Sequence, residues 1–321
     1  MKPTSFLTLA SVFLAGAMVS SADTVWLRGI CEATGWSDFN KSSSYQDDDE
    51  LCWAAAASNV IDWWQKQYRV PDATPVGEAI WDTFKEMVVM DAGGSSLSAF
   101  QWWLTGIYNP TNKTEQARGY WGLNTGSAIA LENDSIPHGY YYDEYPNINN
   151  YIYPGQEGSA LSRFLTREFG NTITAETIDA KLRAGSAVTL SLSSFGGSKK
   201  LAHSVTLWGV DYELSGGAMT ISRLWLTDAD DAQYGFNVDN GLFSVGVERN
   251  KAPDGTGNYF YSFVAKDKDW YSDDYGTIYV ESFSFYNSSE SDTWGMPLVP
   301  EPATATCSLL ALAAMLARRR R

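Results

Sequence analysis

A run of small residues framed by tryptophans constrains this chain more than any other stretch. Leu51 to Trp64 reads LCWAAAASNVIDWW. Ala54 to Ala57 and Ser58 are small and fit a helix. Val60, Ile61, Trp63 and Trp64 are apolar and must cover a helix face from water. An acidic loop, Asp47 to Glu50, leads in, and Cys52 stands where the helix begins. A helix N-terminus carries partial positive charge and unpaired N–H groups, a setting that favours thiolate over thiol. The same pattern fits a buried structural cysteine on an amphipathic helix. On this stretch alone both readings stay open.

The histidines narrow the choice. The chain has two, His138 and His203. His203 lies in KLAHSVTLWGVDYE, whose β-branched and apolar residues read as a core strand. Ser215, Gly216 and Gly217 make a turn, and MTISRLWLTDADD follows as a second strand ending in Asp228, Asp230 and Asp231. Such a hairpin holds a histidine near the start of one strand and a carboxylate near the end of the next. The carboxylate fixes the imidazole tautomer and stabilises its charged form. A cysteine on a helix N-terminus, then a histidine, then an aspartate is the chain order of a Cys-His-Asp site. His138, in the loop IPHGYYYDEYP, has no neighbouring motif and reads as a surface residue.

These patches resemble, in order, those of the IdeS/Mac family of secreted cysteine peptidases that cleave immunoglobulin G. VWLRGI (Val25 to Ile30) is similar to the family's opening strand. WSDFNK (Trp36 to Lys41) is similar to its W-x-D-x-x-K, and LCWAAAASNVIDWW to its nucleophile helix. AVTLSLS, HSVTLWGVDY and LWLTDADD are similar to its later strands. The resemblance covers about residues 25–66 and 176–235, and little between them except FQWWLTG, Phe100 to Gly106. It implies an α+β, papain-like cysteine peptidase fold, with the nucleophile at a helix N-terminus packed on an antiparallel sheet. It implies Cys52 as nucleophile, His203 as base and acid, Asp228 as third triad member and Asp230 as its support. Lys41 and the Cys52 backbone N–H would bind the oxyanion. No cofactor or metal is implied.

Both ends of the chain read as processing segments. Lys2, the apolar run Phe6 to Val19 and the small residues Ser20 to Ala22 form a secretory signal peptide, residues 1–22. VPEP (Val299 to Pro302), an apolar stretch and the run Arg318 to Arg321 resemble the PEP-CTERM sorting tail of Gram-negative bacteria, residues 297–321. That resemblance implies an exosortase-type sorting machinery as a partner, with membrane contact through the tail before processing. A plain C-terminal anchor is the other reading of the tail. Residues 23–296 are then one peptidase domain, secreted or held at the cell surface.

The charge excludes some partners. A net charge of −15 argues against nucleic acid and anionic membrane. Cys31, Cys52 and Cys307 are the only cysteines, and an oxidising compartment would allow a Cys31–Cys52 disulfide as the competing use of Cys52. No CxxC pair, HExxH or phosphate-cradling glycine motif occurs. The acidic runs DDDE (Asp47 to Glu50) and DADD (Asp228 to Asp231) lack the spacing of a calcium loop.

The rest of the chain is mixed. Residues about 75–91, 95–106 and 174–185 read as helices, the last capped by Thr174 and ended by Gly185. Residues 107–155 read as a long loop region. NYFYSFVAKDKDW and GTIYVESFSFY read as further strands. The expected function is hydrolysis of extracellular protein, with immunoglobulin and mucin as candidate substrates. An adhesin or glycan-binding protein on an inactive peptidase scaffold, and a cysteine-dependent acyltransferase, are the alternatives.

Overall fold

The computed structural model describes residues 23–41, 48, 50–87, 94–105, 139–141, 144, 163–215, 218–230, 241–251, 258–264, 273–289, 296 and 298. The expected signal segment (1–22), the expected sorting tail beyond residue 298, His138, Asp231, Asp47, Asp49 and most of 107–155 lie outside them.

Helix α1 (Cys52–Gln65) is the axle of the molecule. Every residue from Trp53 to Gln65 is buried, so the helix is enclosed on all sides rather than on one face. Ala54 to Ala57 are at most 2% exposed. Their small side chains let strands and helices close round it. Helices α2 (Glu78–Met87) and α3 (Ser96–Thr105) pack against it, within the spans expected from sequence. Trp64 knits the group: its ring lies 5.5 Å from Phe100, 4.9 Å from Tyr141 and 5.3 Å from Tyr68, geometries favourable for aromatic pairs. The fourth helix, α4 (Ala175–Arg183), begins at Thr174, whose hydroxyl accepts the Thr177 N–H, and Gly185 follows it with φ of +80°.

The strands are β1 (Asp23–Trp26), β2 (Leu165–Phe169), β3 (Ser186–Gly196), β4 (Ala202–Ser215), β5 (Ala218–Thr227), β6 (Phe243–Lys251), β7 (Tyr259–Phe263) and β8 (Gly276–Asn287). All pairings are antiparallel, and β4-β3-β8-β7-β6-β5 returns to β4. The fold is therefore mostly a closed six-stranded antiparallel barrel, with β1 added to β4 and β2 added to β8. This corrects the α+β, papain-like expectation: the strands do not form an open sheet beside a helical half, and the described helices are few.

Closure has a local cause. Trp208 is an extra residue between the pairs Leu207↔Leu226 and Gly209↔Trp225, and Ser222 is extra between Asp211↔Arg223 and Tyr212↔Ile221. Bulges bend and twist a hairpin. The 14-residue β4 uses one edge for β3 and then β1, and the other for β5. A bent, doubly used strand is what a closing sheet requires. Among the described residues no helix is long and apolar enough to cross a membrane.

Candidate active site

Cys52 is the first residue of α1. The residue before it, Leu51, has no side-chain oxygen with which to cap the helix, and the first turn holds no acidic residue. The partial positive charge of this end is left for whatever lies in front of it. Cys52 is half-buried, and neither it nor Cys31 is in a disulfide. The thiol is thus not consumed by the competing use expected from composition.

His203 is the second residue of β4 and lies opposite Leu192 of β3. Asp228 is the first residue after β5. Nε2–H of His203 donates to Asp228 Oδ1 at 2.6 Å, and the Asp230 backbone N–H donates to the same oxygen at 3.0 Å. Asp228 is fully buried, so this carboxylate is fixed by its partners rather than by solvent. The second imidazole nitrogen, Nδ1, lies 3.7 Å from Asp230 Oδ2. Cys52 and His203 line one cleft of about 320 Å³.

Lys41 arrives by a different route. Its backbone N–H donates to Ala229 O at 2.9 Å, which ties it to the turn that carries both aspartates. Its ammonium pairs with Asp230 Oδ1, and its side chain is 2% exposed. The sequence reading expected this ammonium in the oxyanion hole. The ammonium is paired with a carboxylate of the aspartate turn, and Lys41 is not among the described residues that line the cleft.

Charge accounts for the state of His203. Burial pulls its pKa down, but Asp228, Asp230, Cys52 and the Asp228 hydrogen bond together hold it well above the ordinary value of 6.5. An imidazolium there balances the second of two buried carboxylates, the first being matched by Lys41. His203, Asp228 and Asp230 also bring three donor atoms within 4.8 Å of one another, a set with the chemistry of a transition-metal site. A metal ion would have to displace the Nε2 proton and compete with the Lys41 ammonium for Asp230.

A hub that the sequence reading missed holds these pieces in register. Asn59 lies two turns along α1 from Cys52 and is 1% exposed. Its Oδ1 accepts the Phe39 N–H at 2.9 Å, and its Nδ2 donates to Thr206 Oγ1 at 3.1 Å and to Thr227 Oγ1 at 3.3 Å. Thr227 also accepts the Trp208 indole N–H at 2.9 Å and donates to Ser37 O at 3.1 Å. Thr206 donates to Ala56 O at 3.3 Å. One amide therefore links α1, the strand that carries His203, the strand that leads to Asp228 and the segment leading to Lys41. Its signal was an amide beside the apolar pair Val60 and Ile61 on a helix with strong apolar character: a buried amide needs partners. The Trp208 bulge belongs to the same device, since it turns the indole onto Thr227.

A cysteine at an uncapped helix end, sharing a cleft with an imidazole held by a buried carboxylate, is suited to nucleophilic attack on an acyl carbon. The chain matches no protein-family model and no curated protein, so the relation drawn from its motifs stands as a resemblance.

Proposed function

We propose that this protein is a cysteine endopeptidase acting on extracellular proteins. The observation that carries the reading is the shared cleft of Cys52 and His203, with His203 Nε2 2.6 Å from Asp228 Oδ1. With Nε2 engaged by Asp228, Nδ1 is the nitrogen left to serve the thiol.

Cys52 Sγ attacks the peptide carbonyl carbon, and its proton resides on His203 Nδ1. The carbonyl oxygen becomes an oxyanion in front of α1, where the Cys52 backbone N–H and the helix dipole stabilise it. Lys41 is the second proposed donor, and its ammonium pairs with Asp230 beside the imidazole. His203 returns the proton to the leaving amine, and the C–N bond breaks. Water then adds to the thioester with His203 as base, which releases the carboxylic acid and restores the thiol. Asp228 keeps the imidazole oriented throughout.

Export through the signal segment and surface sorting through residues 297–321 complete the proposal. Both place the enzyme among extracellular proteins. Incubation with immunoglobulins, mucins and other host proteins, read by mass spectrometry for new termini, tests it. New termini that need Cys52 support hydrolysis. Isopeptide or amine-linked products without new termini would instead identify an acyltransferase, which shares the first half of the reaction.

A further inference from the structure

Strand β8 carries one irregularity, and it lies at the cleft. Ser191 pairs with Ser282 and Leu192 with Val280, so Glu281 is an extra residue with no partner across the ladder. Bulges of this kind re-aim a side chain and recur beside active sites. Glu281 is the one exposed residue of β8, and its side chain joins Cys52 and His203 on the cleft wall.

The bulge is clamped from the other side. The Gly170 N–H donates to Glu281 O at 2.8 Å. A Cβ on residue 170 would lie 2.1 Å from Val280 O, so only glycine allows this approach. The Glu281 carboxylate itself makes no ion pair or hydrogen bond with a described residue. The same cleft is lined by a second exposed carboxylate, Glu50, just ahead of α1. Arg167 is the one lysine or arginine on the wall among the described residues. Its Nε–H is given to Ser282 Oγ at 2.9 Å, and its guanidinium lies 5.3 Å from the Phe169 ring centre.

We infer that Glu281, aimed by the bulge, is a specificity-determining residue that selects substrates with a lysine or arginine side chain beside the scissile bond. The inference rests on the peptidase reading and names its substrate class. A cationic side chain of the substrate would meet the Glu281 carboxylate, with Glu50 on the same cleft adding negative charge. The acidic protein as a whole favours approach of basic segments. Arg167, already tethered along β2, does not fill that role.

The test uses the full chain with a diverse peptide library, read for new termini. Matched peptides carrying lysine or norleucine at the enriched position are then compared. Lysine or arginine is expected to be enriched at one fixed subsite. Glu281→Gln is expected to lower the lysine-over-norleucine ratio of kcat/KM by about two- to fivefold, the size expected for loss of one exposed charge pair. Glu281→Lys should turn the preference toward acidic side chains, and added salt should shrink the wild-type preference. Cleavage without basic enrichment, or an unchanged ratio in both variants, overturns this inference and leaves the peptidase reading standing. Cleavage of no peptide by the wild-type chain overturns both.

Discussion

His203 and Asp228 are joined at 2.6 Å across the open end of the β4–β5 hairpin, one at the second residue of β4 and the other just past β5. Because the pair is buried, the bond fixes which imidazole nitrogen is left for chemistry. Asp228→Asn removes the acceptor that holds this orientation. It is expected to lower turnover most among the carboxylate variants, by about 10³- to 10⁴-fold, as in other triads. Asp230→Asn should cost less, since Asp230 lies further from the ring, at 3.7 Å from Nδ1. Steady-state kinetics on one peptide substrate ranks the two, and an equal or reversed ranking would remove Asp228 from its role.

The second prediction is read by titration. His203 is held protonated well above 6.5 by Asp228, Asp230 and Cys52, against the pull of burial. With only two histidines in the chain, imidazole NMR resolves it directly. One histidine should titrate well above 6.5, and its midpoint should drop in Asp228→Asn. A raised folded-state pKa means stabilisation that is fully present below about 6.5 and is lost as pH rises through the folded value. Urea unfolding at a series of pH values should therefore show that contribution fading on the alkaline side in the wild type. The fade should be smaller in Asp228→Asn.

Lys41 separates two roles. As an oxyanion donor, its loss in Lys41→Ala should cut kcat by about 10²- to 10³-fold with little change in KM. As the counter-ion of Asp230, its loss should act through that carboxylate. A double-mutant cycle with Asp230→Asn decides between them. Additive effects favour the donor role, whereas a double variant no worse than Asp230→Asn alone assigns Lys41 to Asp230.

The hub makes a stability prediction. Asn59→Ala strands the Phe39 N–H and removes a donor from both Thr206 and Thr227, all in a buried setting. A buried unsatisfied group costs about 1–3 kcal/mol, so a loss of about 3 kcal/mol is expected in chemical denaturation. Thr227→Val should cost about 2 kcal/mol, because it deprives the Trp208 indole N–H of its acceptor. Losses under about 0.5 kcal/mol for both would mean that other groups hold these segments together.

The site was more legible than the barrel, and particular residues explain why. Cys52, His203 and Asp228 each sit at the end of an element with a strong apolar signal, so their relative placement followed from a helix start and a hairpin. Strand β6, FSVGVERNK, carries a glycine inside and an exposed polar half, so its pattern was too weak to read as a strand. Strand β2, LTREF, is short and nowhere fully buried. Without β6 nothing joined β5 to β7, so closure of the antiparallel sheet could not be read. The bulges at Trp208, Ser222 and Glu281 depend on register against a distant partner, which no local pattern reports. The pairing of Lys41 with Asp230 was hidden for the same reason, because it is set by the backbone bond from Lys41 to Ala229.

The central claim is that Cys52 is a nucleophile that cleaves peptide bonds. The most direct measurement compares the wild type, Cys52→Ala and Cys31→Ala on one protein mixture, with new termini counted by mass spectrometry. Alanine at position 52 leaves a small residue at the start of α1, so circular dichroism should show the fold intact. The wild type and Cys31→Ala are expected to produce the same new termini, and Cys52→Ala none. Undiminished cleavage by Cys52→Ala, or its loss in Cys31→Ala alone, would contradict the account.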